Sequence, residues 1–345
     1  MLQIPKDPTA IDTQWLAHVL DAPVTAHRLV DAHAGTTGRA VLELDCAGVT
    51  QVPRRLFVKL PPADELQRAF VTSSGMGRRE ALFYKQLGAE VPMRVPHCYF
   101  AASDDSGEEY IMLLEHLEDS ACSFQNASNH YGLAYVRAVL TEFARLHAAY
   151  WNSPRFARDL DWIEPPMQHE IAVGLVNSAL DQFADSMPPV FTAMAELYLA
   201  HTDEIHGLWR QGTPTLIHGD AHDANLFMDG GRPGFLDWAV LARAPGMRDV
   251  GYFLAGTLHP EHREQLPKLL DFYREQLREN GVSPPSHEEV WRQCQWHAGY
   301  VWVGAAVTLA MGDAWQPVSY MKSSLEKLHG ALDYLGSVEA IRAAL

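Results

Sequence analysis

The stretch LIHGDAHDANLFM at residues 216–228 sets two histidines, two aspartates and an asparagine between two short apolar runs. A turn needs one or two such side chains; five point to chemistry. TLI at 215–217 leads into the polar loop, and LFM at 226–228 and GFLDW at 234–238 read as short strands separated by the turn DGGRP at 229–233. A hairpin folds back on itself, so Asn225 before its first strand and Asp237 after its second are expected to be neighbours. Asp220 projects from the same loop. Asn225 and Asp237 offer oxygen ligands suited to magnesium, and Asp220 is a carboxylate available to a substrate.

The surrounding chain of 345 residues is 47% hydrophobic and 20% charged, ordinary for one large domain or two lobes. Its 27 basic residues against 43 acidic ones give a formal charge of −16, which repels a phosphate backbone or an anionic bilayer, so neither nucleic acid nor a membrane is expected as a partner. Cys46, Cys98, Cys122 and Cys294 form no C-x-x-C pair, and a reducing compartment fits them best. The N-terminus lacks a signal-type apolar core, and YVWVGAAVTLAM at 300–311 is too short to span a bilayer, so the cytoplasm is the expected location.

Upstream, residues 23–60 look strand-like, with PVTAHRLVDAH, RAVLELDCAG and RRLFVKLPP reading as an antiparallel meander bounded by Gly and Pro. RREALFYKQLG at 78–88 has helical periodicity and a glycine stop, and HCYFAAS and EYIMLLE flank the turn DDSG at 104–107. Apolar residues at three- and four-residue spacing mark a helix over 131–151, and SHEE at 286–289 supplies a capping box ahead of a long apolar segment. The N-terminal third is thus sheet with one helix, the remainder mainly helical, with a linker near 115–120.

HGDAHDAN resembles the catalytic loop of the aminoglycoside phosphotransferase and choline kinase superfamily, and of its ecdysteroid-kinase-like members in particular; FLDW resembles their metal-binding segment. The general kinase pattern, Asp then four residues then Asn with a second Asp after a hairpin, is met by Asp220, Asn225 and Asp237. The resemblance implies an α+β, bilobal protein-kinase-like fold, with a small antiparallel β lobe bearing one helix over residues 1–117 and a large, mainly α-helical lobe over 118–345. It implies further parts in kinase order, and the chain has them. Gly35, Thr36, Thr37 and Gly38 stand at the turn that would cover the nucleotide phosphates, Lys59 in the third strand, and Glu80 on the following helix as its ion-pair partner. MLLEHLED at 112–119 resembles the inter-lobe hinge, so that backbone from Glu115 to Leu117 would meet the base. Asp249 in RDVGYFLAG falls where the family has an aspartate that braces the catalytic loop.

The implied reaction is transfer of the γ-phosphoryl group of ATP, or GTP, to a hydroxyl of a small molecule such as an aminoglycoside, choline, a sugar or a steroid-like alcohol. Asp220 would take the proton and Asn225 with Asp237 would hold Mg2+. No obligate protein partner is implied. Gly219 in place of the protein-kinase arginine, eleven residues between Asp237 and Asp249, and no A-P-E argue against control by activation-loop phosphorylation. Trp151, His297, Trp302 and the MGDAWQP segment at 311–317 are candidates for the acceptor side. Two rivals remain. His218, Asp220 and His222, spaced two apart, suit a zinc-dependent hydrolase, and a nucleotide-binding pseudokinase scaffold would use the same parts without turnover.

Overall fold

The computed structural model describes residues 3–34, 37–124, 132–166, 170–313 and 315–345. The chain forms two compact units, Met1–Phe124 with Leu226–Leu241, and Gln125–Asn225 with Ala242–Leu345.

The first unit opens with α1 (Thr13–Val19), capped by the Asp12 side chain on the Trp15 amide. Strands β1 (Val24–Ala34), β2 (Gly38–Cys46) and β3 (Arg55–Leu60) follow, then helices α2 (Glu65–Ser73) and α3 (Met76–Gln86), then β4 (Cys98–Ser103) and β5 (Tyr110–Glu115). These strands make one antiparallel sheet in the order β1-β2-β3-β5-β4. The expected meander, helix and strand pair are all present; α1 and α2 are additions to them. Val58, Leu56, Leu42, Ala40, Ile111 and Leu113 bury one side of the sheet with Leu16 of α1, and that burial is the main stabilising term. The sequence punctuation is clearest at β3, which ends at Leu60 immediately before Pro61 and Pro62, residues with no N–H to extend the ladder.

A second, three-stranded sheet joins β6 (Ser123–Phe124) to the hairpin β8 (Leu226–Asp229) and β9 (Arg232–Phe235), in the order β6-β8-β9. Gly230 and Gly231 take positive φ at the tip, a conformation open to glycine. Arg94 ties the hairpin to the rest of the first unit. Its Nε lies 2.6 Å from Asp229, its Nη2 2.8 Å from Glu115, and its guanidinium lies over the Phe227 ring. The Arg94 carbonyl also accepts from the Phe235 amide.

The second unit is mainly helical: α4 (Leu133–Ala149), α5 (Glu170–Phe183), α6 (Pro189–Ala200), α7 (Thr202–Trp209), α8 (Met247–Thr257), α9 (Leu266–Glu279), α10 (His287–Met311), α11 (Val318–Leu335) and α12 (Ser337–Arg342). Its two-stranded ladder pairs β7 (Pro214–Ile217) with β10 (Ala242–Pro245). Ser286 caps α10 by accepting from the Glu289 amide, as the SHEE motif implies. Trp302 and His297 on α10 are fully buried, and Trp302 Nε1 meets His329 at 3.3 Å, which makes both part of the helical core. Among the described residues no helix is long and apolar enough to cross a membrane.

Gly77 lets α3 sit on β5: a Cβ there would lie 2.0 Å from the Tyr110 ring. Gly77→Ala should therefore push α3 outward and cost about 1–3 kcal/mol through overpacking, read as a lower denaturant midpoint at unchanged m-value. Wild-type stability in the variant would show that the helix has room to spare.

Candidate functional site

In the first unit the chemistry centres on Lys59. Its side chain leaves β3 and is buried, 3% exposed, where an unpaired ammonium would be costly. Two carboxylates meet it: Glu80 of α3 at 2.5 Å and Asp237 at 3.1 Å. Burial opposes the charge on Lys59, but Asp237 and Glu80 more than offset it and hold its pKa above the ordinary 10.5. Glu80, fully buried, also accepts from the Trp238 amide at 3.2 Å. The Asp237 segment is fixed to α3 by two more contacts. Trp238 stacks on Phe83 with centroids 4.1 Å apart, and Arg79 donates to the Ala239 carbonyl at 3.0 Å. Trp238 is thus a packing residue, fully buried.

Asp237 has φ of +63°, a left-handed conformation that a non-glycine residue adopts at a cost and that the surrounding contacts must enforce. Arg39 Nη2 approaches its second oxygen at 3.5 Å. Sequence reasoning missed Arg39, since the link spans 198 positions.

Of the other residues expected in this unit, Gly35 and Thr36 lie outside the described residues. Thr37 is 3% exposed, and its hydroxyl has no partner among the described residues. Gly38 starts β2 pressed on the end of β3, where a Cβ would sit 2.7 Å from the Pro61 carbonyl. The Glu115 carboxylate accepts from Arg94 at 2.8 Å and from the His97 amide at 3.0 Å, and its own amide donates to the His97 carbonyl. That side chain therefore serves the architecture of its own unit. Leu117 is buried at the start of a short 3-10 turn.

In the second unit the polar loop is held by Asp249, in the first turn of α8. Its carboxylate accepts from the His218 amide at 2.7 Å and the Gly219 amide at 2.8 Å. Gly219 has φ of +87°, which lets consecutive amides converge on one acid. His147 of α4 reaches Asp249 at 3.3 Å and Tyr273 at 2.8 Å. A carboxylate only accepts, so Nε2 of His147 carries the proton toward Asp249. Its Nδ1 shares the second hydrogen bond with the Tyr273 hydroxyl. Burial pushes the Asp249 carboxyl up, but the contacts from His147 and the Gly219 amide outweigh it and hold it below the ordinary 3.8.

Asp220 follows directly. Its Oδ1 accepts from the Tyr252 hydroxyl at 2.7 Å, and burial together with Asp220 itself keeps that phenol far above 10, so it stays a donor. Asn225 Nδ2 donates to the Asp220 carbonyl at 2.9 Å, so the donor edge of its amide is spent within the loop. Tyr300 donates to the Gly219 carbonyl at 3.4 Å and carries the buried Arg248 guanidinium 3.6 Å over its ring. Tyr252, His147, Tyr273 and Tyr300 were not read from the sequence; the signal available was His147 in line with Phe143 on the apolar face of α4.

The zinc reading of His218, Asp220 and His222 loses its ligand set. His218 is fully buried with Nδ1 turned to the Asp220 amide, and His222 stands 3.7 Å from the Asp220 carboxylate. Among the described residues no three His, Cys, Asp or Glu side chains group to hold a metal. Asn225 immediately precedes β8 and Asp237 follows β9 by two residues, with Leu226 and Phe235 paired.

Asp249→Asn would turn an NH2 group on one of two buried amide donors, at a cost of about 2 kcal/mol or more at neutral pH. The Asp249 pKa is lower folded than unfolded, so its contribution is complete above 3.8 and is lost as pH falls through the folded value. The stability gap between wild type and Asp249→Asn should accordingly narrow in acid; a gap independent of pH would contradict this account.

The ecdysteroid kinase-like family model matches residues 34–282. No curated protein matches the chain at a significant level. Among solved structures, the GDP complex of wild-type aminoglycoside 2'-phosphotransferase-IIIa aligns with a TM-score of 0.54 at 12% identity, covering 92% of this chain and 96% of that one. The choline kinase LicA from Streptococcus pneumoniae aligns at 0.52 and 12% identity, covering 94% and 97%. The macrolide 2'-phosphotransferase MphH from Brachybacterium faecium aligns at 0.50 and 17% identity, covering 92% and 96%. At these identities the likeness shows the fold, the α+β kinase-like fold expected from the motifs. Because the family model spans most of its length, the chain belongs to the ecdysteroid kinase-like family.

Proposed function

We propose that the protein is a small-molecule kinase that moves the γ-phosphoryl group of ATP to a hydroxyl of a small alcohol. The observation that carries this reading is the buried Lys59 held by Glu80 and Asp237. An ammonium kept charged out of water, with one carboxylate anchored in the core and another on a strained backbone, is an arrangement for receiving phosphate oxygens. The GDP complex of aminoglycoside 2'-phosphotransferase-IIIa, which has this fold, supports a nucleotide as the phosphate source.

In this reading Lys59 binds the α- and β-phosphates, Thr37 and Gly38 lie toward them, and backbone from Glu115 to Leu117 meets the base. Asn225 and Asp237 would hold magnesium, which would neutralise charge on the phosphates. Asp220 accepts the hydrogen bond of the acceptor hydroxyl and takes its proton as the oxygen bonds to phosphorus and ADP leaves. The Tyr252 hydroxyl fixes one Asp220 oxygen and Asn225 Nδ2 lies 3.3 Å from the other, so the carboxylate is held in one orientation toward the acceptor. The Asp249 clamp holds the loop in place beforehand, and since phosphoryl transfer depends on positioning and charge neutralisation, that rigidity is part of the catalysis.

A screen of hydroxyl-bearing metabolites and antibiotics for an ATP-dependent mass gain of one phosphoryl group tests the function directly. Asp220→Asn should lower transfer about 10²–10⁴-fold while nucleotide binding persists; turnover surviving intact would remove the base, and binding without turnover in the wild type would favour the scaffold reading. Lys59→Ala should weaken nucleotide use about 100-fold, on the order of 3 kcal/mol for a charge-assisted contact. Equal nucleotide affinity in that variant would refute the role given to the lysine.

A further inference from the structure

Arg39 pairs directly with Lys59 in the β2–β3 register, so the two side chains leave the same face of the sheet. Each faces its own oxygen of Asp237: Lys59 at Oδ1, 3.1 Å, and Arg39 at Oδ2, 3.5 Å. With Glu80 the four groups sum to zero charge. They differ in how tightly they are held. The Lys59 side chain is 4% exposed and anchored to Glu80, whereas Arg39 is 34% exposed and has Asp237 as its one ion-pair partner among the described residues. Its backbone is fixed, because Gly38 beside it is pressed against Pro61. Any movement of Arg39 is therefore a movement of its side chain.

We propose that Arg39 is a positioning residue with two partners: it caps the Asp237 carboxylate in the nucleotide-free protein and swings to the phosphate chain when a nucleotide enters. This rests on the nucleotide-binding reading above. A divalent cation and a guanidinium repel when they share one carboxylate oxygen, so Arg39 opposes binding of a metal by itself. A phosphate chain gives the guanidinium a better partner, since its planar fork donates to two anionic oxygens side by side. Nucleotide binding then frees Asp237 for the metal. The capped state thus favours metal arriving with nucleotide over metal arriving alone.

The test uses the full chain and reads binding. Arg39→Met, with Arg39→Gln as a second variant should the first not fold, is compared with wild type in two titrations. Mn2+ alone, followed by electron paramagnetic resonance, should bind the variant about tenfold more tightly. ADP in EDTA, followed by calorimetry, should bind it about tenfold more weakly. A purely structural role would weaken both, and either that outcome or no change in both overturns the proposal. A wild-type protein that binds no nucleotide overturns the nucleotide reading itself, and this inference with it.

Discussion

A charged amine out of water must be surrounded by charge of opposite sign, and much of the first unit is arranged to satisfy that demand at Lys59. Glu80 reaches it because α3 lies close on β5, which the absence of a side chain at Gly77 permits. Asp237 reaches it because Arg94 ties the β8–β9 hairpin to the rest of the unit, and Trp238 locks on Phe83. Each contact supports the next. The left-handed backbone of Asp237 is the strain this arrangement tolerates, and strain of that kind persists where neighbours over-determine a position.

The second unit meets a different demand by similar means. Two consecutive amides and a histidine converge on the buried Asp249, so a loop that would otherwise sample many conformations is fixed by one carboxylate. His147 extends the bracing to Tyr273 on α9 and Tyr300 adds a contact from α10. Three helices thereby contribute to the loop's shape, none of them adjacent to it in sequence. Tyr252, one helical turn beyond Asp249 in α8, orients Asp220 itself. Loop and orienting hydroxyl are set by the same helix.

The strands of the first sheet were legible because Gly and Pro punctuate them and alternation marks their faces. The Ser286 cap was legible because a cap is a local interaction. α1 and α2 were not: each is short, with one buried residue, so neither shows an apolar stripe. At the site, Asp220, Asn225 and Asp237 stood out through spacing, and Lys59 and Glu80 through their order along the chain. Alone, Glu80 reads as a surface acid on an exposed helix, and only the fold shows it fully buried. Tyr252, His147 and Arg39 act through partners 32, 102 and 198 positions away, and no pattern within a window of sequence carries such pairings.

The β8–β9 hairpin belongs to the first unit although about a hundred residues of the second precede it in the chain. During synthesis Lys59 and Glu80 leave the ribosome long before Asp237, their partner 178 positions beyond the lysine. The early chain can form the five-stranded sheet, but its buried amine has only one of its two anions until the later segment emerges. Completion of this unit is therefore a long-range closure step, slow by the general relation between sequence separation and folding rate, and the nascent N-terminal region must wait in an unfinished, more hydrated form while the intervening residues emerge.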